Sequence, residues 1–341
     1  MNLRNELEAT IAKIVEPGKG ILAADESLPT ITKRFDAVGI ESSESMRLAY
    51  RTLLFTTPGA ADYLAGVILF EETLGQKAAD GTPLPALLAQ LGIAPGIKVD
   101  KGTTPLAGAP GDLVTQGLDG LAERLANYRK QGARFTKWRE VYPITAANPT
   151  PAGIATNAEV LARYAGICQE AGLVPIVEPE VLIDGDHSLE RCEEVTERVL
   201  HAVFDALDRH RVITELMILK PNMVVPGKAH ARRASPEAVA AATLRTLKRT
   251  VPASVPTINF LSGGQSPEEA TANLNALNVL DPRAPWVLSF SFARALQDPV
   301  MRTWAGEAKN IEAAQQAFMH RLRMNSLARE GKWSAAMERG R

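Results

Sequence analysis

The sequence predicts an α/β protein built on a single (β/α)8 TIM barrel, and three observations support this prediction. Eight runs of apolar and β-branched residues are spaced along the chain. Most of them are separated by segments whose apolar residues recur at helical spacing, which is the pattern of a parallel sheet covered by helices. The length of 341 residues exceeds the roughly 250 that such a barrel requires.

An open, doubly wound sheet is the alternative architecture. It predicts a glycine-rich fingerprint directly after the first strand, and GILAADES at 20–27 lacks one. No Ser/Gly-rich linker divides the sequence. We therefore expect one domain over 1–341, with a helical extension at 1–17, the barrel at 18–306, and a C-terminal helix with a short tail at 307–341.

The predicted strands follow one another in chain order, and each is short enough to span a barrel once. They occupy 20–25, 66–71, 96–102, 134–142, 174–181, 215–222, 257–264 and 286–294.

Apolar residues three and four apart predict the intervening helices. The longest such face comprises Val195, Val199, Val203, Phe204 and Leu207. The stretch at 79–92 is the least regular, because its two prolines are typical of a loop. Further helical faces fall at 118–128, 160–167 and, opening at Pro267, 270–277.

The composition excludes several classes of protein. Basic residues number 38 and acidic residues 39, a net charge of -1, whereas nucleic-acid binders need an excess of cations. No apolar run approaches the roughly 18 residues of a membrane helix, and the N-terminus lacks the features of a signal peptide. Cys168 and Cys192 fall in helical segments, which favours buried thiols in a reducing compartment. We expect a cytoplasmic protein that binds neither nucleic acid nor membranes.

Polar and ionisable side chains lie at the carboxyl ends of most predicted strands, although a strand buried on both faces should be apolar. Several occur as pairs two residues apart, and such pairs point to the same face of a strand. The side chains concerned are Asp25, Lys98, Asp100, Lys137, Arg139, Glu178, Glu180, Lys220, Ser262, Ser291 and Arg294.

The carboxyl ends of barrel strands converge on one rim, where catalytic groups collect. Charges gathered there are costly to desolvate unless they pair or a ligand neutralises them, so the pattern predicts a site for an anionic substrate. Each residue alone has a simpler interpretation. A lysine at a strand end is ordinarily solvated, Glu178 and Glu180 can form structural ion pairs, and Asp25 can cap a helix near Pro29. Their joint placement favours function.

The segment LSGGQS at 261–266 follows the seventh predicted strand. Glycines let backbone amides approach an anion, and the loops after strands seven and eight of a barrel often hold phosphate. Arg294 at the end of the eighth strand would add a planar donor. An ordinary flexible turn is the alternative interpretation of SGG.

Lysine is the candidate nucleophile. The histidines show no metal-binding spacing, DGDH at 184–187 is typical of a turn, and neither cysteine ends a strand. A lysine amine attacks a carbonyl carbon only when it is neutral, a form that burial or a neighbouring cation favours. Lys220, in an apolar strand with Lys137 as its expected neighbour, meets that condition.

Ten segments in one order along the chain resemble class I fructose-bisphosphate aldolases, the metal-independent type that forms a Schiff base. The similarity runs from about residue 18 to about residue 332. The segments are GKGILAADES, GVILFEETLGQKA, GIKVDKG, LAGAPGDLVTQGLDGLAER, FTKWR, NAEVLARY, VPIVEPE, LKPNMV, FLSGGQS and FSFARALQ.

The resemblance implies a role for each catalytic residue. Lys220 would form an imine with C2 of the ketose, and Glu178 would act as the acid and base that dehydrates the carbinolamine. Glu180 and Lys137 would adjust the charge nearby. Asp25 would accept the C4 hydroxyl proton as the C3–C4 bond breaks. No metal and no cofactor are implied.

The resemblance also implies two phosphate subsites. The phosphate next to the ketone would contact Ser262, Gly263, Gly264, Ser291 and Arg294. The distal phosphate would contact Ser27, Thr30, Lys33, Arg34, Lys98 and Arg139.

Two features differ from the family pattern. Well-known members continue beyond the segment equivalent to GKW at 331–333 and end in a tyrosine implicated in proton exchange with the enamine, whereas the last tyrosine here is Tyr164. We expect intact cleavage, and we leave open which group protonates the enamine and how strongly a bisphosphate is preferred. In SLPT at 27–30, Pro29 stiffens a loop that is usually Ser/Thr/Gly-rich, and Thr30 retains a hydroxyl.

The leading hypothesis is reversible cleavage of fructose 1,6-bisphosphate to dihydroxyacetone phosphate and glyceraldehyde 3-phosphate. One alternative is a Schiff-base aldolase for another phosphorylated ketose, such as fructose 1-phosphate. The other is a non-catalytic sugar-phosphate-binding barrel, which the complete set Asp25, Lys137, Glu178 and Lys220 disfavours. The resemblance implies a homotetramer, although the amphipathic helices suit a monomer equally well.

Overall fold

Eight parallel strands close into a barrel in the computed structural model, which describes residues 2–339. Met1, Gly340 and Arg341, which belong to the predicted N-terminal extension and C-terminal tail, lie outside the described residues. The barrel strands are β1 (Gly20–Ala24), β2 (Leu64–Leu69), β3 (Ala94–Lys98), β6 (Phe135–Tyr142), β7 (Val174–Val181), β8 (Ile218–Leu219), β9 (Thr257–Phe260) and β10 (Val287–Phe292).

The barrel closes because the first strand pairs with the last. Ile21 of β1 lies opposite Ser291 of β10, and every other barrel strand pairs with its neighbours in chain order. The predicted (β/α)8 class is confirmed, and the open doubly wound alternative is wrong.

Helices surround the barrel, and most predicted helical faces lie within them. The helices are α1 (Leu3–Ile14), α2 (Leu28–Asp36), α3 (Glu44–Phe55), α4 (Glu71–Gly75), α5 (Leu84–Gln90), α6 (Leu121–Lys130), α7 (Pro151–Glu170), α8 (Leu189–Arg209), α9 (Pro236–Thr250), α10 (Pro267–Leu280), α11 (Arg294–Trp304) and α12 (Ile311–Arg329).

The amino end of the barrel is apolar, and α1 covers it. Leu7, Ile11 and Ile14 of this helix pack with strand residues such as Phe135 and Ile176. Burial of each of these side chains stabilises the fold by about 1.5–3 kcal/mol. Helix α1 therefore closes this end of the barrel and excludes water from it.

The inward-facing residues of β6 and β7 change from apolar to ionisable toward the carboxyl ends of the strands. In β6, Phe135 is followed on the same face by Lys137 and Arg139, and in β7 Ile176 is followed by Glu178 and Glu180. Register places Arg139 opposite Glu178. The two-residue period of the strands thus carries the ionisable groups to the carboxyl end of the barrel.

The structure contains elements that the sequence patterns did not predict. Strands β4 (Thr103–Pro105) and β5 (Leu113–Thr115) form an antiparallel hairpin between β3 and α6. The predicted sixth strand at 215–222 is reduced to the two residues of β8, and a short 3-10 helix occupies 214–216. Within 79–92, helix α5 begins only after Pro83, which precedes its first turn.

Cys168 and Cys192 are both buried free thiols in helices. Among residues 2–339, no helix is long and apolar enough to cross a membrane.

Candidate active site

A cavity of about 330 Å³ opens at the carboxyl end of the barrel. The loops that follow β1, β3, β9 and β10 contribute to its walls, together with the inward faces of β6 and β7. Its lining comprises Ala23, Asp25, Glu26, Ser27, Thr30, Lys98, Asp100, Gly102, Thr103, Lys137, Arg139, Val141, Glu178, Glu180, Lys220, Leu261, Ser262, Gly263, Ser291, Ala293 and Arg294.

Four buried ionisable groups alternate in sign across the cavity floor. Lys137 Nζ lies 3.1 Å from Asp25 Oδ2 and 3.0 Å from Glu178 Oε2. Glu178 Oε1 lies 3.3 Å from Lys220 Nζ. The four side chains come from four different strands or strand ends, and each is no more than 8% exposed. Two carboxylates and two ammonium groups thus form one connected row.

Within this row of four side chains, each neighbouring opposite charge offsets the cost of burying an ionised group. Burial alone would raise the pKa of Asp25, but the nearby ammonium groups of Lys137, Lys220 and Lys98 outweigh it and hold that pKa well below its ordinary value. Burial alone would lower the pKa of Lys137, but Asp25 and Glu178 outweigh it and raise that pKa. Asp25 is therefore a carboxylate, and Lys137 an ammonium, at neutral pH.

Two more ion pairs lie farther up the same wall. Arg139 Nε is 2.5 Å from Glu180 Oε2, and Lys98 Nζ is 3.0 Å from Asp100 Oδ1. Each cation is partly exposed, whereas its carboxylate is buried. This wall offers two cations whose guanidinium and ammonium groups an anionic ligand can reach from the cavity.

The opposite wall is built from the loop after β9 and the end of β10. Ser262 and Ser291 are buried there, and the Ser291 hydroxyl has no hydrogen-bond partner among the described residues. Gly263 and Gly264 have φ of +45° and +83°, which side chains rarely adopt. Helix α11 begins at Arg294, so its first N–H groups and the guanidinium lie beside this loop. Hydroxyls, N–H groups and a cation suit a phosphate.

Comparison with known proteins identifies the family. The model of the family described as fructose-bisphosphate aldolase class-I matches residues 6–341. The chain belongs to the class-I fructose-bisphosphate aldolase family.

Aldolases from distant organisms are similar to this chain over nearly its whole length. The cytoplasmic isozyme of Spinacia oleracea is 56% identical over 96% of this chain and 92% of the relative. The non-muscle type of Lethenteron camtschaticum is 54% identical over 99% and 93%, respectively.

A solved structure shares the fold of this chain. It is the aldolase of Plasmodium falciparum, crystallised as a ternary complex with TRAP and a small-molecule inhibitor. It matches with a TM-score of 0.96 and 50% sequence identity, covering 98% of this chain and 97% of that one. Family and barrel architecture therefore agree.

Within this aldolase cavity, most of the side chains that the sequence singled out lie together. Lys220, Glu178, Asp25, Lys137 and Glu180 all line it. So do Ser262, Gly263, Ser291, Arg294, Lys98, Arg139, Ser27 and Thr30.

Three other predicted contacts lie outside the lining of the cavity. Arg34 forms ion pairs with Glu26 and, at 2.9 Å, with Asp298. Lys33 is exposed on α2. Gly264 lies behind the Ser262–Gly263 segment, where an added Cβ would be 3.7 Å from Arg294 Nη2.

Asp25 does not cap the helix near Pro29, so that simpler interpretation is wrong. Helix α2 begins at Leu28, and Ser27 is its N-cap residue. Asp25 instead faces Lys137 inside the barrel.

Sequence reasoning missed several residues of the cavity. Gly102 and Thr103 reach it because the hairpin turns back over the mouth. Glu26 lines it from the position after Asp25. Asp100, which the strand-end pattern had already grouped with Lys98, lines it as well, whereas nothing local predicts the hairpin.

Within 2–339 no group of three or more His, Cys, Asp or Glu side chains is arranged to hold a metal ion. His187 is buried in the loop after β7, and His210 and His320 contact Glu159 and Glu338, respectively.

Proposed function

We propose that this chain is a fructose-bisphosphate aldolase that splits fructose 1,6-bisphosphate into dihydroxyacetone phosphate and glyceraldehyde 3-phosphate through an imine on Lys220. The observation that supports it most directly is the contact between Lys220 and Glu178. Lys220 is 3% exposed, points into the cavity, and has a carboxylate 3.3 Å from its nitrogen. An amine beside an acid and base is the arrangement that imine formation needs.

Imine formation begins when Lys220 gives its ammonium proton to the Glu178 carboxylate, and the neutral amine then adds to C2 of the ketose. The resulting carbinolamine loses its hydroxyl as water, which requires a proton donor. Glu178, which holds the proton taken from Lys220, donates it to that hydroxyl and becomes a carboxylate again. The carboxylate that results is stabilised by Lys137 and by the new iminium charge.

Carbon–carbon cleavage requires a base for the C4 hydroxyl. Asp25 is held as a carboxylate by its surroundings and lines the same cavity as Lys220. As Asp25 accepts the proton, the C3–C4 electron pair moves toward the iminium and forms an enamine. Glyceraldehyde 3-phosphate leaves, the enamine carbon is protonated, and hydrolysis of the imine releases dihydroxyacetone phosphate.

The two walls of the cavity suit the two phosphates. We assign the phosphate next to the ketone to Ser262, Gly263, Ser291 and Arg294, where hydroxyls and helix N–H groups converge. We assign the distal phosphate to the side of Lys98 and Arg139. Substrate would then span the row of charges, with C2 over Lys220.

Cleavage of fructose 1-phosphate is the second candidate function, and one observation favours keeping it. Both cations on the distal wall already have a carboxylate partner, Asp100 for Lys98 and Glu180 for Arg139. A distal phosphate must share these cations with those carboxylates. Comparing kcat/KM for the bisphosphate and the monophosphate decides between the two substrates.

Borohydride trapping tests the proposal. Incubation with dihydroxyacetone phosphate and borohydride is expected to reduce the imine to a stable amine on the peptide that contains Lys220. The Lys220→Met variant is the matched control and should remain unlabelled. An unlabelled Lys220 in an enzyme that turns over fully would overturn the proposal. Turnover should also survive a chelator, and a loss that zinc restores would contradict the imine mechanism.

Location and assembly are further proposals. Relatives named as cytosolic or cytoplasmic isozymes support a cytoplasmic location for this chain. Family resemblance supports a homotetramer. Light scattering of the purified chain measures the mass directly, and a monomeric mass would contradict the tetramer.

A further inference from the structure

A carboxylate lies where a barrel strand should be apolar. Glu140 is on the outer face of β6, the face turned away from the cavity, and it is 0% exposed. It does not line the cavity. A buried carboxylate is costly unless hydrogen bonds compensate it, so its contacts indicate what it does.

Both oxygens of Glu140 accept hydrogen bonds from N–H groups. The Trp138 indole N–H donates to Oε1 at 2.9 Å, and the backbone N–H of Thr115 donates to Oε2 at 3.1 Å. Trp138 belongs to the same strand, whereas Thr115 belongs to β5 of the hairpin. Glu140 therefore joins the hairpin to the barrel wall.

Thr115 is held at a second point by the adjacent residue of β6. Its hydroxyl donates to the Arg139 carbonyl oxygen at 2.7 Å. Arg139 and Glu140, which are consecutive in β6, thus both accept hydrogen bonds from Thr115. Arg139 is also the residue whose side chain lines the distal wall of the cavity.

The hairpin connects Thr115 with residues that line the cavity. Thr115 pairs with Thr103, and Gln116 exchanges backbone hydrogen bonds with Lys101 and Gly102 at 2.8 Å and 2.9 Å. Gly102 and Thr103 line the cavity. A displacement of Thr115 would therefore move the backbone at the cavity mouth.

The last contacts reach a substrate cation. The Gly102 N–H donates to Asp100 Oδ1 at 3.4 Å, and the same oxygen is 3.0 Å from Lys98 Nζ. A continuous series of contacts runs from Glu140 through the hairpin to Asp100 and Lys98. It ends on the wall assigned above to the distal phosphate.

We infer that Glu140 is a positioning residue that sets the preference for a bisphosphate over a monophosphate, by anchoring the hairpin that shapes the distal wall. The inference rests on the proposed function and adds a residue that touches no substrate. Lys220 and the row of charges on the cavity floor lie outside this series, so imine formation should not depend on it.

The Glu140→Gln variant tests the inference. The glutamine side chain has the same shape, but its NH2 group cannot accept a hydrogen bond. It would face the N–H of either Trp138 or Thr115, so one of the two hydrogen bonds is lost and the hairpin is held less tightly. We expect KM for fructose 1,6-bisphosphate to rise about fivefold, as for the net loss of one hydrogen bond. Its kcat, the kinetics with fructose 1-phosphate, and borohydride labelling of Lys220 should be unchanged.

Thr136→Val is the matched control. Thr136 lies on the same outer face of β6, and its hydroxyl contacts the Tyr164 hydroxyl at 2.7 Å and Cys168 Sγ at 3.2 Å, away from the hairpin. This variant also loses buried hydrogen bonds without a change of shape. It should lose stability and keep the substrate preference of the parent enzyme.

Thr115→Val provides an independent variant if Glu140→Gln does not fold. It removes the hydroxyl contact with Arg139 and keeps the N–H that Glu140 accepts. The same selective rise in KM for the bisphosphate is expected, and the double variant should show less than the sum of the two effects. Equal changes for both substrates, or no change in either variant, would overturn the inference.

Failure of the proposed function would look different. In that case the parent enzyme would show no labelling of Lys220 and no cleavage of either sugar phosphate. If the parent is labelled and cleaves both substrates while Glu140→Gln keeps their ratio of kcat/KM, only the inference about Glu140 fails.

Discussion

The carboxylate of Glu178 lies between two buried ammonium groups, 3.3 Å from Lys220 through one oxygen and 3.0 Å from Lys137 through the other. The three side chains come from β7, β6 and the residue after β8. Because the Asp25 carboxylate contacts the far side of Lys137, no charge in the row lacks an opposite neighbour. A proton that moves from Lys220 to Glu178 leaves both groups neutral, so the remaining charges of Lys137 and Asp25 still compensate each other.

Glu178→Gln is expected to lower kcat by about 10²- to 10⁴-fold, because the amide cannot exchange the proton that carbinolamine dehydration needs. Single-turnover borohydride trapping measures the rate of imine formation and should show the loss in that step. Glu197→Gln is a suitable control, since Glu197 forms a surface ion pair with Arg249 at 2.9 Å. A normal trapping rate in Glu178→Gln would contradict its role.

Lys137→Met should lower the free energy of unfolding by about 3–5 kcal/mol at pH 7, because it leaves the buried Asp25 without its nearest cation. The pKa of Asp25 is lowered in the fold, so its favourable contribution is present above the ordinary pKa of Asp and is lost as pH falls through the lowered value. The difference between Lys137→Met and the parent should therefore shrink in acid.

Urea unfolding across a pH series measures the effect of Lys137→Met. Lys248→Met is its control, because Lys248 pairs with Asp281 at 2.8 Å on the surface and its loss should cost less than about 1 kcal/mol. Equal losses in the two variants at pH 7 would show that the buried row has no special stabilising role.

The contribution of Glu140 to stability should change with pH in the direction opposite to that of Asp25. Burial raises its pKa to about 7, with the hydrogen bonds from Trp138 and Thr115 opposing that rise. Because the folded state holds this proton more tightly than the unfolded state, stability is lost as pH rises from the ordinary Glu range to about 7. The parent should lose up to roughly 3 kcal/mol relative to Glu140→Gln over that range. Parallel stability curves for the two proteins would refute this prediction.

Gly264→Ala should weaken binding of dihydroxyacetone phosphate. At φ of +83° an added Cβ is strained, and it would lie 3.1 Å from Ile183 and 3.7 Å from the Arg294 guanidinium. We expect a severalfold rise in KM for dihydroxyacetone phosphate in the condensation direction. Gly81→Ala is the matched control, with φ of +86° and no atom within 4 Å of the new Cβ. Both should lose about 1–2 kcal/mol of stability, and only Gly264→Ala should change KM.

Local pattern was sufficient for much of this protein. The apolar runs predicted eight strands, and all eight are present. Such elements can be predicted because the two-residue period of a strand and the 3.6-residue period of a helix are visible in residues close together in the sequence. The same period placed Lys137 with Arg139, and Glu178 with Glu180, on one inward face of each strand. Motifs in fixed order predicted the family before any geometry was known.

Local pattern was insufficient where a contact joins distant segments. The hairpin of β4 and β5 has strands of only three residues, too short for periodicity to mark them. Arg34 resembled a phosphate ligand in sequence, and its pairing with Glu26 and Asp298 depends on how α2 and α11 pack. Glu140 is buried on the outer face of β6, and one of its two hydrogen bonds comes from Thr115 of the hairpin.

The sequence by itself determined the strands and the family, and it singled out the side chains to which we assign the reaction. Only the tertiary structure decided which charges touch, because partners such as Lys137 and Asp25 are brought within 3.1 Å by barrel closure and strand register. The energy of a buried charge depends on those few contacts. For that reason the sequence does not show the row of charges on the cavity floor or the contacts that hold the distal wall, and the closed barrel does.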